Sequence, residues 1–156
     1  MGQSRSRRRL RGFSLIELLI VITIILTILT VAACERHYQA NADEMAVVRE
    51  IQTINTAQAQ YKSQFGKFAG NLTELGPPAS GRVGPSAADL IPGTLASGQK
   101  DGYTFTLTST PSGYCLNVNP SVYNRTGRRT FYSDQNMIIH QNWSAESANA
   151  SSPELQ

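Results

Sequence analysis

An apolar run lies directly behind five arginines and is broken by a single acid. Residues Met1 to Gly12 carry Arg5, Arg7, Arg8, Arg9 and Arg11, and FSLIELLIVITIILTILTVAAC follows from Phe13 to Cys34. Glu17 is the one ionisable side chain in that run ahead of Cys34. The run has 22 residues, and a bilayer core requires about 20. The arginines favour the cytoplasmic side, so the expectation is a single span with its N-terminus inside. A carboxylate in hydrocarbon is costly without a partner, which makes Glu17 a candidate functional residue.

Composition limits what remains. Of 156 residues, those left after one span suffice for one modest domain, and a hydrophobic fraction of 40% is too low for a multi-span protein. The net charge of +3 belongs to the leader: from Phe13 onward nine basic side chains face eleven acidic ones. Outside the leader the basic residues gather only at Arg128-Arg129, so nucleic acid is not expected as a direct specific partner. Cys34 and Cys115 are 81 residues apart. A bridge would need their Cα atoms within about 7 Å and would draw a strand down to the membrane surface, so two separate thiols are expected.

Two processing schemes compete for the run. A secretory signal has an apolar core of only about 7–15 residues before its cleavage site, shorter than this one. Val31-Ala32-Ala33-Cys34 nevertheless imitates a lipoprotein signal, whose acylated residue would be Cys34. The other cleavage point lies ahead of the run, within Arg11-Gly12-Phe13-Ser14-Leu15-Ile16-Glu17.

That second segment, extended to RGFSLIELLIVI, resembles the N-terminus of type IV prepilins and the related pseudopilins, with the strong match over residues 8–33. The resemblance implies that a membrane prepilin peptidase/methyltransferase cuts after Gly12 and methylates the new amine on Phe13. It also implies that Glu17, the fifth mature residue, acts in assembly. Two positions depart from the family pattern: Leu26 stands where many members have glycine, and Cys34 where many have proline. Without those breaks the helix is expected to run straight through Cys34. Physical reasoning supports a role for Glu17, since the freed ammonium of an incoming chain could neutralise it in a staggered bundle of parallel helices, where an unpaired charge is strongly disfavoured. The alternative is that Glu17 snorkels to the headgroups.

Thr23, Thr27, Thr30 and Cys34 recur on one helical face. They serve either close helix packing or back-bonding to the helix's own carbonyls. No Pro or Gly interrupts Glu35 to Gln64, and Val47, Ile51, Ile54 and Tyr61 share one stripe, so a single helix from about Ser14 to Gln64 is expected. Gly66 is its C-cap candidate. Glu44, Arg49 and Glu50 read as solvated surface charges. Phe65 to Lys100 reads as a long connection with a helical turn near Ala87 to Ile91. Strands are predicted at Tyr103–Leu107, Tyr114–Val118, Thr130–Ser133 and Met137–His140, with turns at Ser109–Gly113 and Asp134–Asn136.

The expected organisation is a leader at 1–12, a transmembrane/assembly helix at 13–34, an amphipathic continuation at 35–64, a connecting loop at 65–101, an antiparallel sheet at 102–143 and a flexible tail at 144–156. The class is α+β: a long N-terminal helix, membrane-spanning in its first half and amphipathic in its second, packed on a small C-terminal antiparallel sheet, as the resemblance to type IV pilins also implies. His37 and His140 lack a metal-ligand spacing, and Asp101 and Asp134 lack an oxygen-rich loop, so no metal and no cofactor is assigned. Asn71, Asn124 and Asn142 head glycosylation sequons of low specificity, and no hydrolase, zincin or phosphate-loop motif is present.

The function expected is that of a structural subunit of a type IV pilus-like filament, not an enzyme. It would wait in the inner membrane with its N-terminus cytoplasmic and then join a periplasmic or extracellular filament. Its partners would be the peptidase, other pilin subunits and the inner-membrane assembly machinery. The alternatives are a minor pilin, a type II secretion pseudopilin, or a lipoprotein acylated at Cys34 and acting as an anchored binding protein.

Overall fold

The computed structural model describes residues 14–155, apart from the side chains of 30–43. Gly12 and Phe13 therefore lie outside the described residues. The chain divides into two compact units, 1–37 and 38–156.

Helix α1 (Leu15–Phe65) runs unbroken through Cys34, as a stretch free of proline and glycine should. It ends one residue beyond the predicted Gln64. Gly66 adopts φ +74° and its N–H donates to Lys62 O at 2.8 Å, a left-handed cap that satisfies an orphan carbonyl.

In the second unit α1 turns one stripe inward. Val47, Ile51, Ile54, Gln58 and Tyr61 are all fully buried, at spacings of four and three that keep them on one face. The stripe is covered by a five-stranded antiparallel meander in the order β1-β2-β3-β4-β5. Its strands are β1 (Gln99–Lys100), β2 (Tyr103–Thr110), β3 (Gly113–Pro120), β4 (Thr130–Asp134) and β5 (Ile139–Asn142). Alternation turns Tyr103, Phe105 and Leu107, then Tyr114, Leu116 and Val118, then Phe131 toward the core. The register lines these up in rows, Phe105 beside Val118 beside Phe131.

A buried polar bridge locks helix to sheet. Asn55 Nδ2 donates to Ser133 Oγ at 2.9 Å, and Tyr114 Oη donates to Asn55 Oδ1 at 2.9 Å. With both ends of the amide used, Asn55 is compatible with an apolar core. Burial, and secondarily the charge of Asp134, pushes the Tyr114 hydroxyl well above its ordinary value of 10.0.

Four expectations need correction. The connection after α1 holds two short helices, α2 (Leu72–Leu75) and α3 (Gly93–Ala96), and the predicted turn near Ala87 to Ile91 is not helical. Instead Ala88 N–H and Leu90 N–H donate to Glu74 O and Leu75 O, both at 2.8 Å, and Leu72, Leu75, Ala88, Ile91 and Leu95 anchor the segment in the core. The last strand begins at Ile139, because Met137, with φ 63°, belongs to the turn. The two-residue β1 was too short to show a period.

The tail expected to be flexible is instead held against the sheet. Gln141 N–H donates to Pro153 O and Leu155 N–H to Ile139 O, both at 2.8 Å. Thr130 Oγ1 donates to Glu146 O at 2.8 Å and accepts from Ala148 N–H at 3.0 Å. The tail thus shields the edge of β5, whose backbone groups would otherwise be open to pairing.

Candidate assembly segment and the buried acid of the head

From Ser14 to Leu29 every described side chain is exposed, including Leu15 at 82%. Such apolar exposure around a whole helix has no partner within the described chain and calls for an outside one. Thr23 and Thr27 each donate to the carbonyl three residues back at 2.8 Å, so back-bonding accounts for these two members of the threonine stripe. Glu17 lies in the first turn of α1, where the helix dipole favours an anion. Among the described residues no helix is long and apolar enough to cross a membrane. The described apolar side chains cover only 14–29 of the run expected to span.

The second acid of interest was misread as surface. Glu44 is only 3% exposed. Its Oε1 accepts from Arg128 N–H at 2.8 Å and its Oε2 pairs with Arg129 Nε at 2.7 Å. Arg129 Nη1 also donates to Gln141 Oε1 at 2.9 Å. Its guanidinium lies 5.5 Å from the Phe131 ring centre and 4.9 Å from that of Trp143. Tyr123 Oη ties the same corner by donating to Trp143 O at 3.0 Å. A sequence signal existed: Glu44 precedes Val47, Val48 and Ile51 by three, four and seven residues, so it sits on the buried stripe. Glu50, also read as solvated, is half-buried and paired with Lys100. Arg49 is exposed, as expected.

Gly127 closes this corner. A Cβ there would lie 1.8 Å from Tyr103 Oη, so only glycine fits. The Tyr103 hydroxyl is buried beside Glu44 and Arg129. Burial, then the nearby Glu44 charge, holds it protonated well above its ordinary value, against the opposing pull of Arg129.

Of the other residues singled out from sequence, Cys115 and Asp134 stand opposite each other on β3 and β4. Cys115 is a free, half-buried thiol on β3. His140 Nδ1 is 2.7 Å from Ser152 O, and Asp134 Oδ1 accepts from Asn136 N–H. Of the sequon asparagines, Asn71 caps α2 through Glu74 N–H at 3.0 Å, Asn142 bonds Ser144 Oγ, and Asn124 is exposed at φ 63°. An open groove of about 530 Å³ is lined by Lys62, Lys67, Phe68, Glu74, Ser109 and Ser112. Lys62 Nζ is 4.5 Å from the Phe68 ring centre there. Among the described residues no group of three or more His, Cys, Asp or Glu could hold a metal.

The described chain is thus an α+β head preceded in sequence by an exposed apolar helical segment. Residues 7–33 match the family model for the prokaryotic N-terminal methylation motif. The N-terminus is thus of the type IV prepilin and pseudopilin kind, a motif that marks structural pilin-like substrates and not enzymes. Neither the curated proteins nor the solved structures compared with the chain gave a match.

Proposed function

We propose that the chain is the precursor of a type IV pilus-like filament subunit. The observation that carries this reading is the methylation motif at 7–33, which spans Gly12, Phe13 and Glu17 in their expected spacing. Peptidase cleavage after Gly12 frees the Phe13 amine, which is then methylated. The run from Phe13 to Cys34 holds the subunit in the inner membrane until assembly transfers it into a bundle of like helices. The exposure of every described side chain from 14 to 29 supports that transfer, because burial against neighbouring helices removes apolar surface from lipid or water.

Glu17 sets the register of the bundle. The ammonium on Phe13 of an incoming subunit meets the Glu17 carboxylate of its neighbour, and the pair cancels two charges that apolar packing would penalise. The partners are the peptidase/methyltransferase, further copies of the chain and the inner-membrane assembly machinery.

Mass spectrometry of the mature terminus tests the reading. N-methylated Phe13 is the expected species, whereas an acylated Cys34 would establish the lipoprotein alternative. Subunit abundance in purified filaments then separates a major pilin from a minor pilin or a secretion pseudopilin.

A further inference from the structure

We infer that the open edge of β2 pairs with the same edge of a second copy of the chain, joining two heads into one continuous sheet. The two edges of the meander are treated differently. The tail shields the edge of β5, whereas β2 outruns its neighbour on the other side, the two-residue β1. The pairing of β1 stops at Gln99 opposite Thr104. The last bond across is from Phe105 N–H to Gly98 O at 2.8 Å.

Antiparallel geometry fixes which groups are left over. In such a ladder each residue turns its N–H and C=O toward the same neighbour, and successive residues alternate sides. Phe105 faces β1, so Leu107 and Ser109 face the same way beyond its end, while Thr106 and Thr108 bond β3. Among the described residues, nothing across that edge bonds the N–H or C=O of Leu107 or Ser109. Leu107 keeps its side chain in the core and is only 7% exposed, so its unpaired main chain has little water to bond. Thr106, Thr108 and Ser109 are exposed, so a neighbouring strand can reach the edge.

Charge and symmetry select the occupant. Native edges are commonly guarded by a lysine, a proline or an inward charge, and β2, with the sequence YTFTLTST, has none of these. A second copy therefore meets no like charge on the strand, and the edge is complementary to itself when run antiparallel. With Thr108 opposite the second copy's Thr108, Leu107 N–H donates to the second copy's Ser109 O. The second copy's Ser109 N–H donates back to Leu107 O, and the two-fold axis repeats both bonds. The threonines then meet on the outer face as a favourable cross-strand pair. Setting Leu107 opposite itself would instead place Ser109 where Gly98 sits beside Phe105. Lys62, Lys67 and Glu74 line the groove next to Ser109; they are of both signs, and Glu74 already accepts from Gly70 N–H and Tyr61 Oη. Such a pair closes on itself. It is not the repeat of a filament, and the inference stands apart from the filament reading.

Cross-linking reads the register directly. Opposed residues of a non-hydrogen-bonded antiparallel pair have Cα atoms about 4.5 Å apart, within the range of about 4.4–6.8 Å that a disulfide spans. The full chain would be solubilised in detergent with Cys34→Ser and Cys115→Ser, which remove the native thiols. In that background Thr108→Cys should give a disulfide-linked dimer on mild oxidation. Thr104→Cys, at a position that β1 covers, should not. Dilution should lower the yield and the exchange protection of the Leu107 and Ser109 amides together. Thr108→Lys should weaken the pairing by about fivefold, because like charges directly opposite are destabilising. Thr108 is exposed, so the head should keep its unfolding midpoint.

Equal cross-linking at Thr104 and Thr108 would overturn the inference. So would the absence of a Thr108 cross-link in a sample that light scattering shows to be associated, which would assign the association to the apolar segment. Leu107 and Ser109 amides protected at every dilution without a cross-link would give the edge to a different occupant. A Thr108→Lys chain that associates as strongly as its parent would also defeat the pairing. None of these outcomes depends on how the N-terminus is processed, so the precursor reading stands or falls separately.

Discussion

The apolar segment at 14–29 and the head use hydrophobic residues in opposite ways. In the segment they surround the helix and every described side chain is exposed. In the head they occupy one stripe, where Val47, Ile51, Ile54 and Tyr61 are fully covered by the sheet and the connecting loop. The head covers its own stripe, whereas among the described residues nothing covers the segment. Each region also carries one telling acid. Glu44 finds its cation within the chain, and under the proposed function Glu17 finds its cation on a neighbour. Under that proposal the same electrostatic problem is solved within the fold in one region and by assembly in the other.

The largest expected effect tests that contrast. Glu17→Ala should leave membrane insertion intact and reduce filament recovery by roughly tenfold or more, the scale set by an uncompensated charge in an apolar setting. Electron microscopy and carbonate extraction check the two halves, and normal filaments from this variant would remove the intersubunit pairing from the mechanism.

Glu44→Ala acts on the other acid. It strands Arg129, which is mostly buried, and should lower head stability by about 3–5 kcal/mol. Trp143 fluorescence during urea unfolding of the detergent-solubilised chain measures this. A loss below about 1 kcal/mol would mean that solvent replaces Glu44. Leu116→Ala, fully buried on β3, should cost about 2–5 kcal/mol by the same measurement. An equivalent change at Leu19, exposed on the apolar segment, should leave head unfolding unchanged.

Thr130→Val probes the tail. It removes both hydrogen bonds of the hydroxyl at about 1–2 kcal/mol. The amide of Ala148 should then exchange faster than in the unaltered chain while the amides of β3 stay protected. Uniform acceleration would indicate that the tail and the sheet open together.

The smallest effect is alkaline. Tyr103 and Tyr114 ionise at higher pH folded than unfolded, so their contribution is complete below the unfolded value of about 10 and declines as pH rises through the folded values. At pH 10 the loss is only about 0.4 kcal/mol per tyrosine, and it grows by up to about 1.4 kcal/mol for each further pH unit. Absorbance of phenolate should show these two of the six tyrosines remaining protonated until the head unfolds.

Period and punctuation made much of the architecture legible. The long stretch free of Pro and Gly, closed by Gly66, announced α1. The alternation in Tyr103–Leu107 and Tyr114–Val118 announced the central strands, and the spacing of Phe13 and Glu17 announced the processing motif. Short elements held by distant contacts stayed hidden. Nothing in the composition of Ser144–Leu155 reveals that Thr130 and the edge of β5 hold it. Leu72–Leu75 and Gly93–Ala96 are too brief for a helical period, and they persist because their leucines reach the core.

The sequence by itself determined that this chain has an N-terminal segment of the methylation-motif kind and a helix too apolar to stand alone, because both follow from residue spacing along one element. Tertiary structure alone decided that the cation of Glu44 is Arg129, 85 residues away, and that Trp143 is held outward. Those outcomes depend on which strand registers bring distant residues together, and pairing across such separations leaves no local pattern to read.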